Sequence, residues 1–195
     1  MPMRLESVTM ADMPASAAQE ELTELSLLVQ RAQHGDSAAF GSLHERFARS
    51  VHAVLLARLR AADADDGLQE TFVLAWRRLA SLRDPSALGS WLHAIARNVA
   101  RDRRRDLREA NELRPELPGR IESSSADKDE LRERVMEHLR SLPDAYKETM
   151  TMRLVEGMSG PEIAEATGLT AGSVRVNLCR GMGLLRELLE KEGWP

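Results

Sequence analysis

From about Leu28 onward, apolar side chains recur at three- and four-residue steps, the period of a helix with one buried face. Leu28, Val29 and Ala32 lead to a break at Gly35 and Asp36. Phe40, Leu43, Phe47, Val51, Val54, Leu55 and Leu59 then continue the pattern over a longer stretch. After Ala62, the acids Asp63, Asp65 and Asp66 suit the positive end of a helix dipole, and Leu68, Phe72, Ala75, Trp76 and Leu79 form one apolar stripe. Trp76 is therefore expected in the core, with Gln69, Glu70, Val73 and Arg77 on a mostly polar opposite side. The pattern breaks over Leu82-Arg83-Asp84-Pro85-Ser86 and resumes with Leu88, Trp91, Leu92, Ile95 and Val99 facing inward.

Two stretches lack this period. Residues 1–22 are rich in Ala, Ser, Met and acids and are expected to form a mobile arm. Residues 106–130 hold Pro115, Pro118 and a Ser123-Ser124-Ser125 run, with eight acids against four bases, and read as a flexible acidic linker. Order returns near Leu131 with Val135, Met136, Leu139 and Leu142, stopping at Pro143. A helix should then run from Asp144 to Glu156, with Gly157 in the left-handed position that ends helices. Ser159-Gly160-Pro161-Glu162 has the form of a capping box, Ile163, Ala164 and Ala166 supply a short helix, Gly168 ends it and Thr170 can cap the next. The fold expected is all-α, as two small helical domains over residues 23–105 and 131–195.

Composition narrows the function. Aromatics are scarce at 4 %, which favours aliphatic helix packing over a β-sandwich. No apolar run reaches the length of about eighteen residues that a membrane helix needs, and no signal peptide is evident, so a cytoplasmic protein without membrane insertion is expected. Cys179 is the only cysteine and His34, His44, His52, His93 and His138 are scattered, so neither a disulfide, a metal site nor a cofactor is expected. No phosphate-binding glycine loop or nucleophile elbow is present either, and the chain does not read as an enzyme.

A net charge of −4 argues against gripping DNA by bulk electrostatics, because such binding scales with the phosphates neutralised. One segment departs from the average. Between Arg97 and Arg108 stand six arginines (97, 101, 103, 104, 105, 108) against Asp102 and Asp106. Part of this cluster has a purely structural excuse, since bases near a helix C-terminus complement its dipole.

Two short helices joined at Gly168-Leu169-Thr170 have the layout of a helix-turn-helix, whose second helix enters the major groove. Val174, Leu178 and Leu185 take inward positions and Arg175, Val176, Cys179 and Arg180 outward ones. These residues alone do not separate DNA reading from an ordinary αα-hairpin of a bundle.

Asp63-Ala64-Asp65-Asp66-Gly67-Leu68-Gln69-Glu70-Thr71-Phe72 with Ala75-Trp76, then Ser90-Trp91-Leu92 and Ile95-Ala96-Arg97-Asn98-Val99-Ala100, closely resemble conserved region 2 of extracytoplasmic-function sigma factors. Leu142-Pro143, Arg153-Leu154-Val155-Glu156-Gly157-Met158-Ser159, Glu162-Ile163-Ala164-Glu165, Gly168-Leu169 and Gly172-Ser173-Val174-Arg175 resemble region 4. The resemblance spans about Leu27 to Leu189, and two signatures in order are more specific than either alone. Departures are Gly67 in place of an aliphatic residue, Gly160-Pro161 before Glu162, and Asn177, Gly181 and Gly183 on a helix usually richer in bases.

The resemblance implies roles residue by residue. Asp66, Gln69, Glu70, Val73 and Arg77 would bind core RNA polymerase, on the clamp of its largest subunit, with region 4 meeting the flap. The loop from Leu82 to Gly89 and the helix after it would melt the minus-ten element and capture an extruded base, with Asn98 near that base and Arg97, Arg101, Arg104 and Arg105 on the backbone. Trp91 could stack on unpaired DNA, yet a large aromatic on an apolar stripe is more often packed. Ser173, Arg175, Val176, Cys179 and Arg180 would meet the minus-thirty-five element, where arginine can pair with guanine and valine can touch a thymine methyl. The acidic linker would thread the polymerase cleft, and an anti-sigma factor is a usual partner. The function implied is promoter recognition, melting and transcription initiation; a stand-alone helix-turn-helix regulator is the competing reading.

Overall fold

The computed structural model describes residues 15–113 and 126–193, and all regular structure among them is helical. The N-terminal module consists of α1 (Ala15–Gln33), α2 (Ser37–Leu56), α3 (Ala61–Arg78) and α4 (Leu88–Leu113). The break after α1 is made by Gly35, whose φ of 90° suits a residue without Cβ. Asp36 then caps α2, accepting from the backbone N–H of Ala38 and Ala39 at 3.0 Å each. Between α3 and α4 the chain makes two single 3-10 turns, the second opened by Asp84 and Pro85. Gln33 fastens this crossing by donating to the carbonyls of Leu79 and Leu82.

Val29, Leu43, Val51, Leu55, Leu79, Leu88 and Leu92 lie fully buried where these helices meet. Truncating one of the leucines to alanine would cost about 2–5 kcal/mol, from lost burial and the cavity left behind. Gly67 belongs to this core. A Cβ there would stand 3.1 Å from Leu55 and 3.6 Å from Val99, so its absence is what lets α3 lie close against α2 and α4.

The C-terminal module consists of α5 (Ala126–Ser141), α6 (Asp144–Leu154), α7 (Gly160–Thr167) and α8 (Ala171–Lys191). Its punctuation is as the residue types predict. Gly157 and Gly168 take φ of 65° and 72°. Ser159 and Glu162 form the reciprocal capping box, and Thr170 accepts from the Ser173 N–H at 3.1 Å. Leu139, Met150, Met152, Ile163 and Val174 fill the core. At the crossing of α6 and α8, a Cβ on Gly181 would come within 2.6 Å of the Met150 side chain. Gly181 is thus a packing requirement and not simply a missing base.

Three expectations are revised. The arm was expected over 1–22, but α1 starts at Ala15, since Ala, Gln, Glu and Leu all favour helix; residues 1–14 lie outside the described residues. The linker was expected over 106–130, but α4 continues to Leu113 and α5 begins at Ala126, leaving 114–125 outside the described residues. Arg105 lies 3.9 Å from both Asp102, one turn before it, and Glu109, one turn after it, and such charge pairs carry a helix past the end of its apolar stripe. Trp76 was expected in the core but is 39 % exposed, lying edge-on to Phe40 at 4.8 Å. Phe72, Ala75 and Leu79 hold the middle of the buried arc, and Trp76 sits at its margin, toward the exposed Val73. Trp91 is half-buried against the core.

Candidate nucleic-acid interface

The arginine cluster does not act as a block, because a helix distributes successive residues around its axis. Arg103 turns toward α3, 3.0 Å from Glu70 and 3.6 Å from Asp66. Arg97, Arg101, Arg104, Arg105 and Arg108 turn the other way and line one cleft of about 430 Å³ with Arg58, facing Asp144 and Lys147 at the start of α6. Asn98, Arg101, Arg104 and Arg105 are exposed. Among the described residues, Arg101, Arg104 and Arg108 have no ion partner, which leaves them free to hold phosphates.

Arg97 is different. Its Nε and Nη2 donate to the two oxygens of Glu148, each at 2.8 Å, and Arg58 reaches the same carboxylate at 2.7 Å. Burial alone would raise the Glu148 carboxyl, but the Arg97 hydrogen bonds and the two guanidinium charges outweigh it and hold it below its ordinary value. The same bonds push the Arg97 guanidinium up. Sequence reasoning missed Glu148, since a lone glutamate on a helix reads as solvated surface. Beneath the cluster, His93 is buried with its Nε2 3.0 Å from Ser50 Oγ, and burial depresses it to about 4.

On α3, Asp66, Gln69, Glu70, Val73 and Arg77 are all exposed on one side of the helix. Val73 is 51 % exposed, an apolar side chain on an otherwise polar face. Trp76 lies next to this face, and with Phe40 and Phe72 it makes an aromatic cluster that the stripe reading had assigned wholly to the core. No signal in the sequence separates such a ring from a buried one.

On α8, Ser173, Arg175, Val176, Cys179 and Arg180 are exposed, while Val174, Gly181 and Leu185 are buried on the opposite side. The Thr170 cap fixes where α8 begins, and Ser173 Oγ lies 2.9 Å from Thr170 Oγ1, inside the cap itself. The outward surface offers two guanidinium groups, a branched methyl pair and a thiol, at the size of contact a major groove admits. Among the described residues no cluster of His, Cys, Asp and Glu could hold a metal, and no helix is long and apolar enough to cross a membrane.

Two family profiles match the chain in succession. The family profile "Sigma-70 region 2" matches residues 43–110, and "Sigma-70, region 4" matches residues 132–185. The chain is 32 % identical over 193 residues to the ECF RNA polymerase sigma-E factor of Salmonella typhimurium (strain LT2), covering 90 % of this chain and 97 % of that one. The sigma-E factor of Escherichia coli (strain K12) matches at the same identity and coverage. That of Haemophilus influenzae is 31 % identical over 194 residues, covering 90 % and 98 %. Among solved structures, CnrH in complex with the cytosolic domain of CnrY is similar at a TM-score of 0.57 and 28 % identity, over 86 % of this chain and 98 % of that chain.

Proposed function

The chain belongs to the extracytoplasmic-function sigma factors of the sigma-70 family, and on that premise we propose how its residues divide the work of starting transcription. It is an initiation factor that binds core RNA polymerase and directs promoter recognition. It acts in the cytoplasm and has no catalytic chemistry of its own. Core polymerase docks on the α3 face of Asp66, Gln69, Glu70, Val73 and Arg77, where Val73 supplies the apolar contact and its neighbours the register.

The observation that carries the reading is the pairing of two matched regions with two modules that each expose arginines on one helix. On α4, Arg97, Arg101, Arg104 and Arg105 track the phosphates of the opened minus-ten strand and Asn98 meets an extruded base. Unstacking that base costs a few kcal/mol, which phosphate contacts and the pocket must repay. On α8, Ser173, Arg175, Val176, Cys179 and Arg180 read the minus-thirty-five element. The similar chain CnrH is held by a cytosolic domain of a second protein, which supports an anti-sigma factor as a further partner here.

Mixing the protein with core polymerase and promoter DNA tests this: strand opening and a defined transcript are expected. A protein that shifts duplex DNA alone and yields no transcript would be a stand-alone regulator instead. Arg175→Ala should weaken minus-thirty-five recognition by about 1–3 kcal/mol if it pairs with guanine. Equal loss on every sequence would make it a phosphate contact.

A further inference from the structure

The arginines of α4 are answered unevenly. Asp102 and Glu109 stand 3.9 Å from Arg105, while Glu70 and Asp66 of α3 take Arg103. Among the described residues no acid pairs with Arg101, Arg104 or Arg108. These three recur at three- and four-residue steps, so they stand one above another on a single face of the helix, along roughly 10 Å of its axis. Like charges one turn apart repel, and such a row is relieved when an anion lies along it.

The row lines the cleft of about 430 Å³, together with Asp144 and Lys147 from the first turn of α6. Beneath it Arg58 and Arg97 share Glu148, which is 8 % exposed and held on both sides, so this carboxylate is not available to the row. Lys147 Nζ donates to the Arg140 carbonyl at 3.0 Å and lies 3.1 Å from Asp144. Glu148 and Asp144 thus answer two of the bases around the cleft, and most of its positive charge has no counterpart within it.

Size and charge density decide what fits. The volume is at the small end for a ligand site, so several negative charges must arrive in one compact molecule. Guanidinium groups keep their charge at any ordinary pH and grip phosphate oxygens in pairs. A single phosphate meets one or two of them, whereas a chain of condensed phosphates carries charge on every unit and can meet all three. Among the described residues no aromatic ring lines the cleft, so nothing there would stack on a base.

We propose that the cleft between α4 and α6 is a binding site for a condensed phosphate anion, held by Arg101, Arg104 and Arg108 and bounded by Lys147. It is indifferent to what the phosphates are attached to. The site stands on this geometry alone. One consequence rests on the assignment of Arg101 and Arg104 to the minus-ten strand: the anion occupies both and competes with that strand.

Titration calorimetry of the full chain with inorganic tripolyphosphate, without magnesium and at constant ionic strength, tests the site. One molecule per chain is expected, bound at least ~10-fold more tightly than orthophosphate, the gain from one further charged hydrogen bond. ATP and tripolyphosphate, two sources of such an anion, should bind alike. Arg104→Gln with Arg108→Gln should weaken binding ~100-fold, about tenfold for each guanidinium. Lys147→Gln should weaken it ~3-fold, since an ammonium is a single point charge. Arg78→Gln with Arg132→Gln removes the same charge as the α4 pair from exposed positions outside the cleft and should change nothing. The proposal falls if orthophosphate binds as well as tripolyphosphate, if ATP binds far more tightly and so has its base read, or if the control weakens binding as much as the α4 pair. It falls too if Lys147→Gln leaves binding untouched, which would put the anion on an open helix face. A fluorescein-labelled single-stranded minus-ten DNA reports the competition by its anisotropy, and tripolyphosphate should displace it. DNA that stays bound beside the anion would count against the strand assignment of Arg101 and Arg104, with calorimetry still deciding the site.

Discussion

The two helices proposed to meet DNA differ at one arginine, although both expose most of the residues given to DNA. On α8 the outward residues Arg175, Val176, Cys179 and Arg180 face solvent, whereas on α4 the guanidinium of Arg97 is already taken by Glu148. Both helices carry their inward residues on a regular apolar stripe, so the stripe does not create the difference. It arises from what each module offers to the other: a basic face on α2 and α4, and carboxylates on α6, α7 and the turn between them. A chain of net charge −4 can thus keep a strongly basic surface, by covering part of it with its own acids.

The largest expected effect separates the modules by acid. His93 lies beneath α4, and its folded value of about 4 is below the ordinary 6.5. Its contribution to stability is present above 6.5 and is lost as pH falls toward 4, by roughly 3 kcal/mol across that window. Thermal melts from pH 7.5 downward should show the N-terminal module losing stability first, and His93→Gln should flatten the profile. An unchanged slope in that variant would move the acid sensitivity to other groups.

A second change strikes the exposed helix. Gly181→Ala pushes a methyl into Met150, and overpacking of this kind costs about 1–3 kcal/mol, read by urea unfolding of the C-terminal module. Minus-thirty-five binding should fall with it, while the α4 face keeps its arginines. Were the stability unaltered, the α6–α8 crossing would be looser than the structure has it.

The smallest effect acts where His52 of α2 meets Glu156, just past the end of α6, at 2.8 Å. The hydrogen bond that His52 donates to the Glu156 carboxylate raises it above its ordinary value, against a smaller opposing effect of burial, and the charges of Glu156 and Asp65 add to the rise. A raised imidazole stabilises this contact between the modules fully below 6.5 and loses that contribution as pH climbs through its raised value. The radius of gyration should therefore grow modestly from pH 6 to 8.5, and His52→Gln should abolish the trend. A trend that survives the substitution would point to another group.

Much of the local structure is legible in the residues. The Ser159 and Glu162 box, the Thr170 cap, the left-handed Gly157 and Gly168 and the inward Val174 and Leu185 all follow from rules that act within a few residues. The same rules placed the α3 polar face and the outward α8 face on exposed surface. They failed at Trp76, since a stripe gives direction but not how wide an arc the neighbouring helices cover, and Trp76 lies at the edge of that arc while Ala75 and Leu79 are buried. They failed again at 106–113, where charged residues carry α4 onward without any apolar period.

By itself, the sequence determined the helices, their caps, their inward faces and the family to which two ordered signatures belong, because each depends on local geometry or on a short fixed pattern. Only the tertiary structure decided that Glu148 closes on Arg97 and Arg58, and that Gly67 and Gly181 are glycines for want of room. Those contacts join residues far apart in the chain, and their partners are fixed by how whole helices pack, which no spacing along the sequence encodes.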